Sequence, residues 1–450
     1  MTKIKKAAVA GAFYPDNRQD ILDQISSFER NSLRDYNVFP RAVIVPHAGY
    51  IYSGQLAVEG FQYLDKKLKN IFIFAPAHRV AVSDMAVPSY EVFETPVGDL
   101  DVNTQIVNEL QELFECQIFD EAFSEEHSIE VQLPFILYFL GSVNIIPILV
   151  GGGDYKKVKN IIAHYWDDEE NGFVISSDLS HFYPSEEAKK IDNLTAQMIE
   201  FNEVDNFHHQ QACGAAGVCG LCDFARKNDF SLIRIDLKNS GEVTGDKKRV
   251  VGYGTWLLAE CSRAKFIKEH FANTVIDICS RSIEAGLKNE KFNFDDEFVY
   301  LPRVLDSFGA SFVTLEKDDN LRGCIGSIVA HQSLRDDLAQ NAYNAAFSDP
   351  RFYPLTDEEF DDVEIAVSIL SSPVKMKFSD EEELLNQIQP CRDGIIIKDG
   401  HYQAVYLPSV WEQLPEKRQF LNSLKQKAGM SPNHFSSTFE AYRFYTEYIK

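Results

Sequence analysis

Residues 41–50 read RAVIVPHAGY, a short apolar and β-branched run that ends in Pro46 and His47. A run of this length and composition is typical of a strand that is buried on both faces. The same arrangement recurs at residues 70–78, which read NIFIFAPAH and end in His78. Two buried strands, each followed within three residues by a histidine, are therefore predicted near the start of the chain.

Apolar runs of this kind alternate with amphipathic segments up to about residue 259. Strands are predicted at 41–46, 70–75, 143–150, 172–176 and 250–259, and helices at 17–30, 54–68, 102–114 and 186–202. Strands that alternate with helices indicate an α/β domain, with a largely parallel sheet flanked by helices on both faces.

The rest of the chain has a less regular pattern. Residues 261–265 are polar and lack hydrophobic periodicity, so we predict a linker there between domains at 1–260 and 266–450. In the second domain, strands are predicted at 309–316, 323–329, 363–370, 394–398 and 402–407, and helices at 266–287, 334–347, 381–387 and 418–428. This order predicts an α+β fold.

Composition narrows the class of protein. The 450 residues include 44 Lys and Arg against 68 Asp and Glu, a net charge of −24 that would repel nucleic acid and anionic membranes. Eight cysteines are too few for a disulfide scaffold, and residues 1–12 lack the apolar core of a signal peptide. Pro and Gly interrupt the most apolar stretch, 133–150, which argues against a membrane span. We expect a cytoplasmic protein.

Polar side chains follow three of the predicted strands. His47 and His78 end the first two, and Asp178 and His181 follow the strand at 172–176. A lone histidine is more often a core or a solvent-facing residue. In an open α/β sheet, however, ligands gather at the carboxyl ends of the strands. The shared topological position therefore indicates one common site.

Two other residues have both a structural and a functional interpretation. His127 precedes an apolar helix, where it could be a solvent-facing neighbour of a helix cap. Cys213 precedes a small-residue stretch that could begin a helix, whose dipole would stabilise a thiolate ligand or nucleophile. A buried, inert cysteine is the alternative. Cys219 and Cys222 form a C-x-x-C pair without the second pair that a zinc site needs, so we interpret them as helix neighbours.

Five motifs occur together and in order after an opening AGAFYP. They are PHAGYIYSG (46–54), PAH (76–78), EHSIE (126–130), SSDLSH (176–181) and CG (213–214). The set resembles the Memo family over about residues 5–259. The resemblance implies a fold similar to that of class III extradiol dioxygenases. It also implies metal ligands at His47, His78 and Cys213, with Asp178 and His181 in the same cleft and His127 beside it.

The implied ligand set differs from the two histidines and one carboxylate of many non-haem Fe(II) oxygenases, because Cys213 replaces the carboxylate. Fe(II) is the expected cofactor, with copper or zinc as alternatives. His181 is the candidate acid–base group, because imidazoles exchange protons near neutral pH, and His127 is the second candidate. We therefore expect a dioxygenase-like oxidoreductase acting on a small molecule. The alternatives are a metal carrier and a metal-free hydrolase with Cys213 as nucleophile.

The second domain contains LRGCIG at 321–326. Its glycines permit close backbone approach, Arg322 could bind an anion, and Cys324 could be reactive beside that charge. A tight turn with a buried cysteine is the alternative. Together with FSDPRF (347–352) and YLPSVW (406–411), the motif resembles the AMMECR1 domain over about residues 266–450. We predict a pocket formed by Arg322, Cys324 and Arg351.

The two resemblances together imply a partner. Memo and AMMECR1 domains are similar to components of the three-part AmmeMemoRadiSam system, whose other member is a radical-SAM protein. This chain has no C-x₃-C-x₂-C run that could bind the iron–sulfur cluster of such a protein. A radical-SAM partner would therefore be a separate chain.

Overall fold

The computed structural model describes residues 2–32, 36–152 and 154–450. The chain divides into two compact units, Met1–Ser262 and Arg263–Lys450. A helix already begins at Arg263, so most of the predicted linker at 261–265 belongs to that helix. Within the described ranges, none of the helices is long and apolar enough to cross a lipid bilayer.

The first unit alternates strands and helices along most of its length. Its strands are β1 (Ile4–Lys5), β2 (Ala42–Val45), β3 (Asn70–Pro76), β4 (Met85–Val87), β5 (Val92–Thr95), β6 (Gly98–Asp101), β7 (Gln117–Ile118), β8 (Asn144–Val150), β9 (Asn171–Ser176), β10 (His181–Tyr183), β11 (Ser231–Asn239) and β12 (Val250–Ala259). Its helices are α1 (Arg18–Asn31), α2 (Tyr50–Phe61), α3 (Thr104–Phe114), α4 (Asp120–Ser124), α5 (His127–Glu130), α6 (Leu133–Leu140), α7 (Tyr155–Tyr165), α8 (Ser185–Glu200), α9 (Ala215–Asn228) and α10 (Ser240–Thr244).

The main sheet of the first unit is mixed. Its order is β10-β12-β2-β9-β3-β8-β4-β7, and the long strand β12 also pairs with β11, which lies outside this order. The central strands β2, β9, β3 and β8 run parallel, whereas β10, β11 and β2 are antiparallel to β12 and β4 is antiparallel to β8. Parallel pairing is thus concentrated in the centre, where every residue of β2 and β9 is buried.

Two helix starts in this unit bear on the site. Helix α2 begins at Tyr50, four residues before the predicted start, and the buried Tyr50 ring stacks on Phe135 with ring centroids 4.4 Å apart. Helix α9 begins at Ala215, as the small-residue stretch predicted, so Cys213 lies just before it. Cys219 and Cys222 are neighbours on α9, and both are buried.

The second unit combines helices with antiparallel sheets. Its helices are α11 (Arg263–Leu287), α12 (Phe294–Glu297), α13 (Leu334–Phe347), α14 (Asp357–Phe360), α15 (Glu381–Gln387) and α16 (Lys417–Lys427), with 3₁₀ turns at Arg303–Asp306 and Pro408–Glu412. Its strands are β13 (Phe308–Gly309), β14 (Ser311–Lys317), β15 (Asn320–Gly326), β16 (Gln332–Ser333), β17 (Glu364–Leu370), β18 (Val374–Lys375), β19 (Gly394–Asp399), β20 (Tyr402–Tyr406), β21 (Glu440–Phe444) and β22 (Thr446–Ile449).

Two four-stranded sheets organise this second unit, in the orders β15-β14-β17-β22 and β18-β21-β19-β20. All of their pairings are antiparallel. The core beside the second sheet is built on Trp411, which stacks on Phe420 with centroids 3.7 Å apart.

Candidate metal centre

The candidate site lies at the carboxyl edge of the parallel strands of the first unit. His47 is the second residue after β2, His78 the second after β3, and Asp178 the second after β9. Because β9 lies between β2 and β3, the three loops leave the sheet side by side. His127 reaches the same place as the first residue of α5.

Three histidines form the centre of this site. His47, His78 and His127 each offer a ligand atom, and these atoms all lie within 4.8 Å of one another. The His47 side chain is buried, whereas those of His78 and His127 are 29% and 14% exposed. The cluster is therefore open to solvent on one side. His127, which the sequence placed beside the ligands, belongs to this group.

Cys213 adjoins the histidine cluster. Its Sγ lies 3.3 Å from His47 Nε2 and accepts a hydrogen bond of 3.3 Å from the backbone N–H of Asp178. Burial, and then the nearby Asp178 carboxylate, raise the pKa of the Cys213 thiol well above its usual range. Without a cation beside it, the sulfur is therefore protonated at neutral pH.

Asp178 is hydrogen-bonded to the backbone of His47. The His47 backbone N–H donates to Asp178 Oδ1 at 2.8 Å, and Oδ2 lies 4.0 Å from His47 Nε2. Burial raises the pKa of Asp178 against the effect of this hydrogen bond. Burial, together with repulsion from His78 and His127, lowers the pKa of His47 well below its usual range. His47 is thus neutral at pH 7, the state that binds a metal ion.

His181 lies near the cluster but is not part of it. It is close enough to influence the pKa of both His47 and Asp178. Its Nδ1 is 2.8 Å from the carbonyl oxygen of Leu179, which can only accept, so Nδ1 carries the hydrogen. Nε2 is left as the nitrogen able to take up a proton, which suits the predicted acid–base role.

Glu126 belongs to the site, although the sequence indicates only that it precedes His127 near the start of a predicted helix. Its buried carboxylate accepts from the backbone N–H of His78 at 2.5 Å, and Oε1 lies 3.0 Å from His78 Nδ1. The same oxygen is 3.1 Å from His127 Nδ1, though poorly aligned for a hydrogen bond. Burial alone would raise the pKa of Glu126, but the contacts with both histidines hold it far below its usual range.

A cavity of about 260 Å³ reaches Cys213. Its walls are the carboxyl ends of β3 and β8, the first turn of α9 and the exposed His209. Most of the lining is small or apolar, so the cavity admits a small organic molecule to the thiol side of the site.

The residues of the predicted pocket in the second unit contact carboxylates of the protein itself. Arg322 pairs with both carboxylate oxygens of Glu359, at 3.3 and 3.0 Å. Arg351 pairs with both oxygens of Asp349, at 3.0 and 2.7 Å, and Asp349 also accepts from the Cys324 backbone N–H at 2.9 Å. Both arginines already have carboxylate partners, so an added anion would have to displace one.

An α/β unit with histidines clustered at the carboxyl edge of its parallel strands is a candidate metalloprotein. The chain belongs to the Memo family: residues 5–257 match the family model described as Memo-like protein. Residues 276–449 match the AMMECR1 family model, so the two domains occur in one chain.

Several curated relatives are similar to the first unit. The MEMO1 family protein TV1383 of Thermoplasma volcanium is 33% identical over 264 residues, covering 56% of this chain and 97% of the relative. A MEMO1 family protein of Aquifex aeolicus is 30% identical with the same coverage. The protein memo-1 homolog of Caenorhabditis elegans is 38% identical over 185 residues, covering 40% of this chain and 53% of the relative.

One solved structure is also similar in sequence. The crystal structure of the uncharacterized protein PH0010 from Pyrococcus horikoshii is 29% identical, with a TM-score of 0.37. The match covers 39% of this chain and 89% of that one.

Proposed function

We propose that the first unit binds a transition-metal ion and acts as a dioxygenase-like oxidoreductase, with a fold related to class III extradiol dioxygenases. His47 and His78 would bind the ion, and Cys213 and His127 are the candidates for the third protein ligand. The observation that carries the proposal is the convergence of three imidazoles within 4.8 Å beside a thiol. Fe(II) is the proposed ion, with copper or zinc as alternatives.

The donor set fits such an ion. Imidazole nitrogens suit iron, copper and zinc, and a thiolate favours the softer members of this series. Three imidazoles this close would repel one another if protonated, which contributes to the lowered pKa of His47. A metal ion beside Cys213 would stabilise the thiolate and so offset the effect of burial, which keeps the thiol protonated.

Fe(II) bound here would supply one-electron and O₂ chemistry. The residues of the chain would then bind and orient the substrate and move protons. His181 Nε2 is free to accept a proton, because Nδ1 is engaged by the Leu179 carbonyl. Asp178, whose pKa burial raises, can hold a proton near His47. The cavity beside Cys213 favours a small organic substrate.

Metal content tests this proposal directly. We would prepare the full chain anaerobically with Fe(II) and measure metal by mass spectrometry in the wild type, His47→Ala and Cys213→Ala. His164→Ala is the matched control, because this exposed histidine lies on α7, outside the cluster. About one ion per chain in the wild type and the control, with loss in His47→Ala, supports the site. An empty wild type, or retention in both site variants, contradicts it.

A metal-free hydrolase remains the second candidate, because Cys213 Sγ and His47 Nε2 are only 3.3 Å apart. A nucleophilic thiolate requires a lowered pKa, whereas burial raises that of Cys213. The test is inactivation by iodoacetamide of whatever activity is found. Inactivation that chelators neither cause nor prevent would favour the hydrolase over the metalloenzyme.

The proposal extends to partners. A separate radical-SAM protein would act with this chain, and the second unit would bind that partner or the substrate.

A metal carrier is a further alternative to the enzyme. If the first unit only carries metal, the loaded protein consumes no O₂ with catecholic substrates but transfers its ion to a chelator. Oxygen uptake in a screen of such substrates therefore separates the enzyme from the carrier.

A further inference from the structure

We infer that Glu126 is the positioning residue of the cluster, a single carboxylate that fixes the ring tautomer of His78 and holds the segment that carries His127 beside it. The inference rests on the proposed metal site, since it names the group that holds two of the histidines in place behind that site. Glu126 would not contact the ion. It would act by making His78 present Nε2 to the ion and by holding the backbone of both histidine segments.

Glu126 accepts hydrogen bonds from four backbone N–H groups and from the ring of His78. Oε1 accepts from the backbone N–H groups of His127 and Ser128, each at 3.0 Å, and lies 3.0 and 3.1 Å from Nδ1 of His78 and His127. Oε2 accepts from the backbone N–H of His78 at 2.5 Å and of Arg79 at 3.3 Å. The carboxylate is only 1% exposed, so water does not compete for these positions.

An ionised carboxylate can only accept hydrogen bonds. Nδ1 of His78, 3.0 Å from Oε1, therefore carries its hydrogen, and Nε2 keeps the lone pair that a metal ion needs. The His127 ring lies beside the same oxygen, and its segment is held by the backbone N–H of His127. His78 and His127 come from segments 49 positions apart in the chain, and Glu126 links them. A carboxylate behind a ligand histidine also increases the basicity of the imidazole, and losing such a partner typically weakens metal affinity roughly 10–100-fold.

Helix capping is the competing explanation, since Glu126 is the N-cap residue of α5. The two roles make different demands on the side chain. Aspartate is a preferred N-cap residue, whereas glutamate is not among the preferred types. Glu126→Asp therefore keeps the charge and the capping ability but is one methylene too short to keep all its contacts with the two rings. If capping were the only role, this variant would behave like the wild type.

Glu130 provides the matched control. It lies on the same short helix, is equally buried, and its carboxylate also accepts several hydrogen bonds. Its partners are Lys5 Nζ, the backbone N–H groups of Ala8 and Val9, and the Tyr14 hydroxyl. Because none of these is a ring of the cluster, Glu130→Gln perturbs the packing of this region without removing an imidazole partner.

The experiment compares the full-length wild type with Glu126→Asp, Glu126→Gln and Glu130→Gln. Two readouts are needed: the histidine tautomers of the metal-free protein, from ¹H–¹⁵N correlation spectra of ¹⁵N-histidine-labelled samples, and the affinity for Zn(II) by competitive titration. We expect both Glu126 variants to lose the Nδ1–H form of His78 and to bind Zn(II) roughly 10–100-fold more weakly. Glu130→Gln should keep both properties, whatever its melting temperature.

The outcomes separate this inference from the proposed function. If Glu126→Asp keeps wild-type tautomers and affinity, Glu126 is only a cap and the inference is wrong. If the wild type itself binds no metal, the proposed function fails, yet the tautomer spectra still decide the role of Glu126. If Glu126→Gln does not fold, Glu126→Asp alone decides between the two roles, because it retains the charge and the cap.

Discussion

The Ser176 hydroxyl fixes the tautomer of His47. Its oxygen lies 2.7 Å from the Ser128 carbonyl oxygen. Because a carbonyl oxygen can only accept, the Ser176 hydroxyl donates its hydrogen to it. It also accepts from Gln132 Nε2 at 2.9 Å. A serine hydroxyl has one hydrogen, so His47 Nδ1, at 2.9 Å, must donate. The lone pair of His47 is therefore on Nε2, which faces Cys213.

We predict that Ser176→Ala weakens metal binding at least about tenfold, because the ring of His47 loses the partner that selects its tautomer. The substitution also leaves buried polar groups unpaired, at a cost of about 1–3 kcal/mol each in the free energy of unfolding. Zn(II) titration and thermal unfolding measure the two effects. Ser128→Ala is the control, since it removes a buried hydroxyl that donates to the Pro76 carbonyl and to no ring. Equal Zn(II) affinity in both variants would contradict the role of Ser176.

A ligand role for Cys213 predicts a pH-dependent metal affinity. Because burial raises the pKa of the metal-free thiol, binding as a thiolate must release a proton. Affinity should then rise about tenfold per pH unit between roughly pH 7 and 9. His47 releases no proton in this window, since its pKa is lowered. Zn(II) titrations at several pH values measure the slope.

Two substitutions show which ligand causes the pH dependence of the Zn(II) affinity. Cys213→Ser should remove both the slope and the thiolate charge-transfer band of the Co(II)-substituted protein. His127→Ala should weaken binding but keep both. A wild type whose affinity is independent of pH in this range would leave His127, rather than Cys213, as the third protein ligand.

The parts of the fold and site that can be predicted from the sequence are those encoded locally. Strands β2, β3 and β9 are short apolar runs, so their pattern alone places His47, His78 and Asp178 at their ends. Strand β11 is not among the predicted strands, although Ile233, Ile235 and Leu237 alternate with polar residues as in a half-buried strand. Its buried Arg234 pairs with Glu200 of α8, a contact between residues that are distant in sequence.

The same limit applies to the roles of charged residues. Glu126 contacts a histidine that lies 48 positions before it, which a sequence motif does not show. The sequence shows only that Arg322 could bind an anion, because its partner Glu359 comes close in the folded chain alone. A residue type indicates what a side chain can do, whereas its partner in the fold decides what it does.

Asp192 gives a prediction on stability. Burial raises its pKa to about 6, although it accepts a hydrogen bond from the Ser180 backbone N–H at 3.0 Å. The raised pKa means that the folded state favours the neutral acid. The resulting stabilisation is present below the unfolded pKa of about 3.9 and is lost as pH rises through about 6.

We therefore expect Asp192→Asn to stabilise the first unit at pH 7.5, by at most about 3 kcal/mol, because the amide is neutral at every pH. The advantage should shrink toward pH 4.5, where the native acid is also neutral. Calorimetric melting of both proteins at several pH values measures this difference. A variant that is less stable than the wild type at pH 7.5 would show that the charged carboxylate is needed there.

Asp349 gives the corresponding prediction for the second unit. Its hydrogen bond from Arg351 is the main reason why its pKa lies below the usual range, and the Cys324 backbone N–H contributes. A lowered pKa stabilises the fold above the unfolded pKa of about 3.9, and this contribution is lost as pH falls below it. Asp349→Ala should therefore lower the free energy of unfolding by roughly 1–3 kcal/mol at pH 7 and by less near pH 3.

Arg351→Ala is the informative comparison, because the Arg351 side chain is 53% exposed whereas that of Asp349 is 1% exposed. If the network is structural, removing the buried carboxylate destabilises the second unit more than removing the exposed guanidinium. Thermal unfolding, with hydrogen exchange of β15 to locate the effect, compares the two variants. If Asp349→Ala leaves stability unchanged while inorganic phosphate raises the melting temperature of the wild type but not of Arg351→Ala, the predicted anion pocket is correct instead.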